Sequence, residues 1–510
     1  MAFSLRFLCA FAVALCLPLA ARAEEKPKPK PKLIDYEAEL NDKLGKGITP
    51  DKNACALLWK ALGPTPEGGA GMPPEFFKRL GIAEPPKEGA YFIALGKFII
   101  DRLQVDRSEI EGIYNQQGWA TGRPWAAKDY PFIGVWLKEN EKPLAVVLEA
   151  TKRPEYYNPL VSRKTDKDPG SLIGVLLPSV QKCREIAGAL CCRAMLRVNE
   201  GKYDEAWADL MACHRLARLV ARGGTLIEGL VGYAIEAIVT NAELAYLENA
   251  KLTSKQVLER LKDLQGLPPM PTPADKIDLT ERYMFMDSLK LVRRGNAVEA
   301  PGGLFPGNNQ ELTPEEKKAL ESIDWEPALT NGTKWYDRMV AAMRMPNRAE
   351  RMKALAKIEA DLKALKSNAT DNIGDLLRLA LGKDPGKVVG KQIGDNLITL
   401  LLPAVQKVQE ANDRVSQVHS NLQVAFAMAA FQKETGRYPA KLDDLAPKYM
   451  AKVPGDLFSG VALIYKPTEK GYLFYSVGVN GKDDDGRWYD DEPRGDDQRV
   501  RMPLPPLKKE

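Results

Sequence analysis

The sequence predicts a mainly α-helical protein, built from helical hairpins, that ends in a small α+β module. Between residues 172 and 249, apolar residues recur at the spacing of amphipathic helices. A second amphipathic stretch of this kind runs from Leu397 to Ala430. Two short runs rich in β-branched and aromatic residues follow Gly436, which indicates strands packed on a helix.

The first 23 residues have the pattern of a secretory signal peptide. Arg6 supplies the charged region, Phe7 to Ala20 the apolar region, and Ala21-Arg22-Ala23 the cleavage site. Cleavage would lower the formal net charge of the 510-residue chain from +5 to +3, because Arg6 and Arg22 leave with the leader. We therefore expect an exported protein, periplasmic or extracellular, with no membrane span in the mature chain.

Residues 24–50 read as a charged Lys/Pro tether, since alternating proline and lysine keep the Glu24 to Lys32 segment extended. Residues 51–165 mix short helices with Pro/Gly breaks. Nothing in the chain concentrates basic residues on one face as a nucleic-acid-binding protein would, so we expect no nucleic-acid partner. A protein or other cell-envelope partner is the expectation.

Residues 166–382 form the predicted helical domain. Leu172–Val198 and Tyr203–Ala221 make an antiparallel hairpin with a break at Glu200-Gly201-Lys202. Thr225 and Glu228 form a capping box that opens the next helix. That helix is apolar almost all round, which predicts burial on most sides.

Charged residues on two successive helices of this domain give the one enzymatic hypothesis. Glu228, Glu236 and Glu243 recur at about two-turn spacing on one face of the apolar helix, and Arg215, Arg218 and Arg222 line the preceding one. Buried together, acids acquire raised pKa values and can act as paired acid and base, as in glycosidases. The weak catalytic candidates are Glu228 and Glu236. The alternative is that these charges form the solvated or ion-paired side of a helical pair.

The chain contains two histidines, which argues against most His-dependent hydrolases and zinc sites. His214 lies beside Cys213, but helical neighbours point about 100° apart, so a packed helix residue is expected. His419 lies on the long C-terminal helix, and the same is expected of it.

Cysteine pairing is open. Seven cysteines include Cys9 and Cys16 of the leader, and the five others are Cys55, Cys183, Cys191, Cys192 and Cys213. An odd count in an oxidising compartment leaves at least one thiol unpaired within the chain. The alternatives are a bridge from Cys191 or Cys192 to Cys213 across the hairpin, or buried free cysteines.

The C-terminal module spans 397–490, and residues 491–510 form an acidic and basic tail. Its apolar pattern predicts one long helix from Leu397 that Gly436 ends. A short helix at Ala440 to Leu445 and strands at Val461–Tyr465 and Tyr472–Val477 follow, with the strands forming an antiparallel β-hairpin.

This module resembles the head of the type II secretion major pseudopilin and of type IV pilin-like proteins. The resemblance is carried by Leu401-Leu402-Pro403-Ala404-Val405-Gln406, Gly436-Arg437-Tyr438-Pro439 and Tyr475-Ser476-Val477-Gly478-Val479-Asn480-Gly481. It covers about a fifth of the chain and implies the fold of the head. It does not imply a filament, because the apolar run here is internal and too short to span a bilayer.

In pseudopilins the loop after the last strand binds calcium, and the resemblance places that loop at residues 480–486. Calcium takes six to eight oxygen ligands on a tight loop, and the glycines here permit the curvature. The expected ligands are Asn480, Asp483 and Asp485. Asn480 stands where the family usually has Asp. The alternative is a solvated acidic surface that continues into Asp496-Asp497.

A second resemblance covers residues 85–295. Arg123-Pro124-Trp125, Lys152-Arg153-Pro154 and Thr225-Leu226-Ile227-Glu228 look like a family of secreted planctomycete-type bacterial proteins of unknown function. The functional expectation is an exported binding or scaffold protein of the cell envelope that carries a calcium loop and catalyses no reaction. The alternative is a cell-envelope hydrolase that uses carboxylates in a helical cleft.

Overall fold

The computed structural model describes residues 34–69, 71–103, 105–165, 170–294, 314, 320–367, 386–402 and 405–507. The signal peptide predicted for 1–23, the part of the tether before Ile34 and the last three residues of the tail lie outside these ranges. From Tyr36 onward the chain forms one packed unit.

Seven short helices form the N-terminal part of the described chain. They are α1 (Tyr36–Leu44), α2 (Ala54–Leu62), α3 (Pro74–Leu80), α4 (Leu95–Arg102), α5 (Arg107–Gly122), α6 (Pro131–Glu139) and α7 (Glu141–Ala150). Six lie within residues 51–165, where the Pro/Gly breaks predict short helices, and the first lies within 24–50, so the predicted tether contains a helix, with Leu40 and Asn41 buried.

The central helices are the predicted hairpins. A 3₁₀ turn at Leu172–Gly174 precedes α8 (Pro178–Asn199), whose first residue is a proline because that position needs no amide donor. Helices α9 (Tyr203–Ala221), α10 (Leu226–Asn249) and α11 (Ser254–Gln265) follow.

A second group of helices has its own core around Phe285, Tyr336 and Ile393. It comprises α12 (Pro273–Lys276), a π-helical turn at Ile277–Glu281, α13 (Arg282–Arg293), α14 (Glu326–Met343), α15 (Arg348–Ser367) and α16 (Gly386–Leu401).

The C-terminal part is a long helix on a small sheet. Helix α17 (Val405–Thr435) ends before Gly436, which has the left-handed φ of +77°. A 3₁₀ turn (Leu442–Leu445) leads to β1 (Ile464–Pro467), β2 (Tyr472–Ser476) and β3 (Gln498–Met502). The three strands pair antiparallel in the order β1-β2-β3, with Phe474 opposite Tyr465 and Val500.

Two features differ from the sequence prediction. The single helix predicted from Leu397 is two helices, α16 and α17, on either side of residues 403–404, which are not described. A residue before proline is disfavoured in a helix, so α16 ends ahead of Leu402. The sheet has a third strand, β3, beyond the predicted module boundary at residue 490.

One hydrophobic core joins the predicted segments. It contains Trp59 from the N-terminal helices, Leu190 from the central hairpin, Phe426 from α17, and Phe474 and Val500 from the sheet. Helix α17 packs against α10, α11 and β3, so it contacts both the helical part and the sheet. The segments predicted as 51–165, 166–382 and 397–490 therefore share a core.

Helix α10 is the one described helix long and apolar enough to cross a membrane. Its most apolar window is 72% buried, and it carries three fully buried glutamates, Glu228, Glu236 and Glu243. These features are typical of a central core helix.

Candidate functional site

The acidic loop predicted to bind metal connects β2 to β3, so both its ends are fixed by strand pairing. Gly478, Gly481 and Gly486 have left-handed φ angles, and Asp485 has φ of 64°. These conformations fold the loop back on itself, since they are rarely adopted outside tight turns.

The predicted ligands face three different partners. Asp485 forms a salt bridge with Lys466, which holds the pKa of that carboxyl below its usual value. Asp483 accepts a hydrogen bond of 2.9 Å from the Tyr475 hydroxyl. The Asn480 amide donates to Asp484 Oδ2 at 2.9 Å.

A different set of carboxylates converges in this loop. One oxygen each of Asp484, Asp496 and Asp497 lies within 4.8 Å of the others. Backbone amides orient them, because Asp497 Oδ2 accepts from the Asp484 and Gly486 amides at 3.1 and 2.7 Å, and Asp484 Oδ2 accepts from the Asp496 amide at 3.1 Å.

Two oxygens of this cluster are buried and unused. Neither Asp496 Oδ1 nor Asp497 Oδ1 has a hydrogen-bond partner among the described residues. Burial, together with the negative charge of Asp484, raises the pKa of Asp497 to about 6. Three carboxylates at this spacing, two of them with an unpartnered oxygen, form a hard, oxygen-only donor set, the kind that calcium prefers.

Sequence reasoning assigned Asp496 and Asp497 to a charged tail because it missed β3. The signal was the alternation that follows them, in which Gln498, Val500 and Met502 are buried. A strand beginning directly after two aspartates would have placed both acids at the edge of the sheet.

A second cluster of chemistry-bearing residues is buried between α9, α10 and α17. His214 Nδ1 lies 2.8 Å from Glu236 Oε2, and His214 Nε2 lies 2.6 Å from Glu243 Oε2. Arg218 Nη1 donates to Glu236 Oε2 at 2.8 Å, and His419 Nδ1 lies 3.0 Å from Glu236 Oε1. Both histidines of the chain thus meet on one carboxylate.

The electrostatics of this cluster are those of a closed ion network. Burial alone would lower the pKa of His214, but Glu236 and Glu243 raise it to about 10. Burial alone would raise the pKa of Glu236, but His214, His419 and Arg218 hold it well below its usual value. The imidazolium and the guanidinium of Arg218 therefore balance the two carboxylates.

Ligand atoms of His214, Glu236 and His419 also lie within 4.8 Å of one another, a spacing compatible with a three-ligand metal site. A metal there would have to displace a ring proton that His214 donates to a carboxylate, and Arg218 would face it across Glu236. The charges already balance, so we interpret this cluster as the ion-paired arrangement that sequence analysis gave as its alternative.

Glu228 lies in a separate network at the start of α10. Its carboxylate completes the predicted capping box with Thr225, whose Oγ1 donates to Glu228 Oε2 at 3.0 Å. The Asn158 amide donates to the other oxygen at 3.0 Å. Burial raises the pKa of Glu228 and lowers that of nearby Lys276 to about 8.

The five described cysteines are free and buried. Cys191 Sγ and Cys213 Sγ lie 3.9 Å apart across the α8–α9 hairpin, so they are the neighbours that the sequence paired. The structure thus has buried free thiols, which is the second alternative. One pair of cysteines that the first alternative would bridge is in contact.

Neither protein-family models, nor curated proteins, nor solved structures show a match to this chain.

Proposed function

We propose that this chain is an exported binding or scaffold protein of the bacterial cell envelope. Its C-terminal α+β part is a pseudopilin-like head that holds a calcium ion in the β2–β3 loop. The observation that carries the metal proposal is the convergence of Asp484, Asp496 and Asp497, with two buried carboxylate oxygens lacking a partner.

None of the three calcium ligands proposed here belongs to the set expected from the sequence. Asp484, Asp496 and Asp497 are the first-choice ligands. Asn480 acts indirectly, because its amide orients Asp484 and its backbone nitrogen donates to Asp496 Oδ2 at 3.1 Å. Calcium fits better than zinc, since the donors are all oxygens.

Binding is supported over hydrolysis by the placement of Glu228 and Glu236. The two residues are eight positions apart on α10, which separates them by about 12 Å along the helix axis. Paired carboxylates of glycosidases lie about 5–9.5 Å apart across a substrate. Both side chains are fully buried, and each is hydrogen-bonded within its own network.

The test is calcium-dependent melting of the purified protein. At calcium concentrations near one hundred times Kd, binding adds about 2.7 kcal/mol, which corresponds to a rise in Tm of about 3 °C for a chain of this size, because the unfolding entropy grows with chain length. Asp496→Asn/Asp497→Asn should abolish the rise.

Two further variants separate the competing ligand sets. Asp483→Asn/Asp485→Asn should keep the calcium response, and Asp490→Asn, on an exposed residue of the same loop, is the matched control. If the calcium response were lost only in Asp483→Asn/Asp485→Asn, the calcium ligands would be those expected from the sequence. An unchanged Tm with calcium and with chelator would remove the metal proposal.

A further inference from the structure

A cavity of about 540 Å³ lies between the C-terminal half of α9 and the segment that follows α7. Five cations line it: Lys152, Arg153, Arg215, Arg218 and Arg222. Its other lining residues are Thr151, Pro154, Leu219 and Pro268, so the lining contains no carboxylate. Concave surfaces lined by one sign of charge focus the field and concentrate counter-ions.

Nearby acids compensate part of this charge. Lys152 pairs with Glu149 at 2.5 Å, and Arg218 pairs with the buried Glu236. Arg153, Arg215 and Arg222 form no salt bridge with any carboxylate of the described chain, although Asp51 acts electrostatically on Arg153. Two to three guanidinium charges therefore remain without a direct counter-charge.

Backbone carbonyls hold several of these guanidinium groups in place. Arg153 Nη1 donates to the carbonyls of Pro50 and Asn53, at 2.6 and 2.9 Å, and Arg222 Nη1 donates to Pro154 at 2.5 Å. Each of these bonds engages one end of a five-donor group, so other N–H donors remain free to bind a ligand.

The helix dipole accounts for only part of the arrangement. Arg218 and Arg222 lie at the C-terminal end of α9, where the partial negative charge of the helix favours cations. The partial charge at the helix C-terminus is about −0.5 elementary charge, which is smaller in magnitude than the uncompensated positive charge of the cavity. A bound anion would supply the remainder.

We infer that this cavity is an anion-binding site that takes a tetrahedral oxyanion, the phosphate or sulfate group of a small molecule. Guanidinium groups match such oxygens in charge and bidentate geometry. Arg215 and Arg222 are exposed and present N–H donors to solvent, whereas Arg218 is buried and fixed by Pro268, His214 and Glu236. The site is independent of the calcium loop.

The experiment is calorimetric titration of the full chain with pyrophosphate, inorganic phosphate and sulfate in calcium-free buffer, with sodium chloride setting a constant ionic strength. We expect saturable binding, tightest for pyrophosphate. Arg215→Ala and Arg222→Ala should each weaken it about tenfold, because each removes charge-assisted hydrogen bonds. Arg437→Ala, on an exposed arginine in the C-terminal part, should bind as the unchanged protein does.

The titration also distinguishes the two sources of the oxyanion. Tighter binding of phosphate assigns the site to phosphate esters, and tighter binding of sulfate assigns it to sulfate esters. No saturable heat from any of the three oxyanions above the sodium chloride background, or full binding by Arg215→Ala/Arg222→Ala, would overturn the inference. Repeating the titration with Asp496→Asn/Asp497→Asn keeps this result separate from the calcium proposal.

Discussion

At the scale of single residues, the contacts of His214 link three helices. Its ring stands between Glu236 and Glu243 of α10, and Glu236 in turn contacts His419 of α17. The side chains of His214, Glu236 and Glu243 are fully buried. Removing one member therefore leaves a charge with no access to water, which costs far more than losing a surface ion pair.

We expect His214→Gln to lower the free energy of unfolding by about 3–5 kcal/mol, because Glu236 and Glu243 lose their shared cation. Chemical denaturation at pH 7 measures this loss. Glu205→Gln, on an exposed residue of the same helix, is the control and should change stability by less than about 0.5 kcal/mol. A loss in His214→Gln no larger than the control's would contradict the ion network.

The free energy of unfolding of the original protein and that of His214→Gln should depend differently on pH. The pKa of His214 is raised to about 10 in the folded state and is about 6.5 when unfolded, so its contribution is complete below pH 6.5 and is lost as pH rises towards 10. The stability gap between the original protein and His214→Gln should therefore narrow between pH 7 and pH 10. Denaturation midpoints across this range test it, and a constant gap would count against the assignment.

At the scale of secondary-structure elements, α9 and α10 cross closely at Gly232. A Cβ atom built there would lie 2.5 Å from the Ala217 carbonyl oxygen and 2.6 Å from the Ala221 Cβ. Such distances are too short for real contacts, so any side chain at this position forces the helices apart. The crossing also sets the distance at which Glu236 meets His214 and Arg218.

We therefore expect Gly232→Ala to destabilise the protein by about 1–3 kcal/mol through overpacking. Gly112→Ala is the matched control, because Gly112 is also helical but its Cβ would meet nothing within 4 Å. That change should be neutral or stabilising by up to about 1 kcal/mol, since alanine is the better helix former. Thermal melting of both variants distinguishes the outcomes, and equal shifts would refute the close crossing.

Local patterns in the sequence were enough to predict several elements. The capping box at Thr225 and Glu228, the central hairpin and the stop at Gly436 are all present. Each depends on residues within a few positions of one another, so periodicity and capping preferences report them directly.

Contacts between distant parts of the chain were not predictable in this way. His214 and His419 lie 205 positions apart, and neither helix carries a pattern that points to the other. Strand β3 was missed because it is only five residues long and directly follows two aspartates, so its alternation was taken as part of a charged tail. The calcium candidate depends on that strand, so Asp496 and Asp497 were absent from the ligand set expected from the sequence.

At the scale of the whole molecule, the sheet is bound to the helical part through α17. Asn421 Nδ2 donates to the Gln498 carbonyl at 2.8 Å, and Gln417 Oε1 accepts from the Leu457 amide at 2.7 Å. The Asn421 contact is buried, and Phe426 of α17 and Val500 of β3 lie in one hydrophobic core. Loss of β3 should therefore destabilise the shared core as well as the loop that the strand fixes.

Ending the chain after Asp490, the predicted module boundary, provides the test of this coupling. The shortened chain lacks β3, so it leaves β2 unpaired on one side and removes Val500 and Met502 from the core. Burial of two such side chains contributes about 3–6 kcal/mol, and the free energy of unfolding should fall by at least that amount. The calcium response should vanish as well, because Asp496 and Asp497 are gone. A chain that ends at Leu507 keeps β3 and all three carboxylates and serves as the control. If the shorter chain unfolded at the same denaturant midpoint as the control, β3 would contribute nothing to the shared core, and the helical part and the sheet would have to be treated as independent.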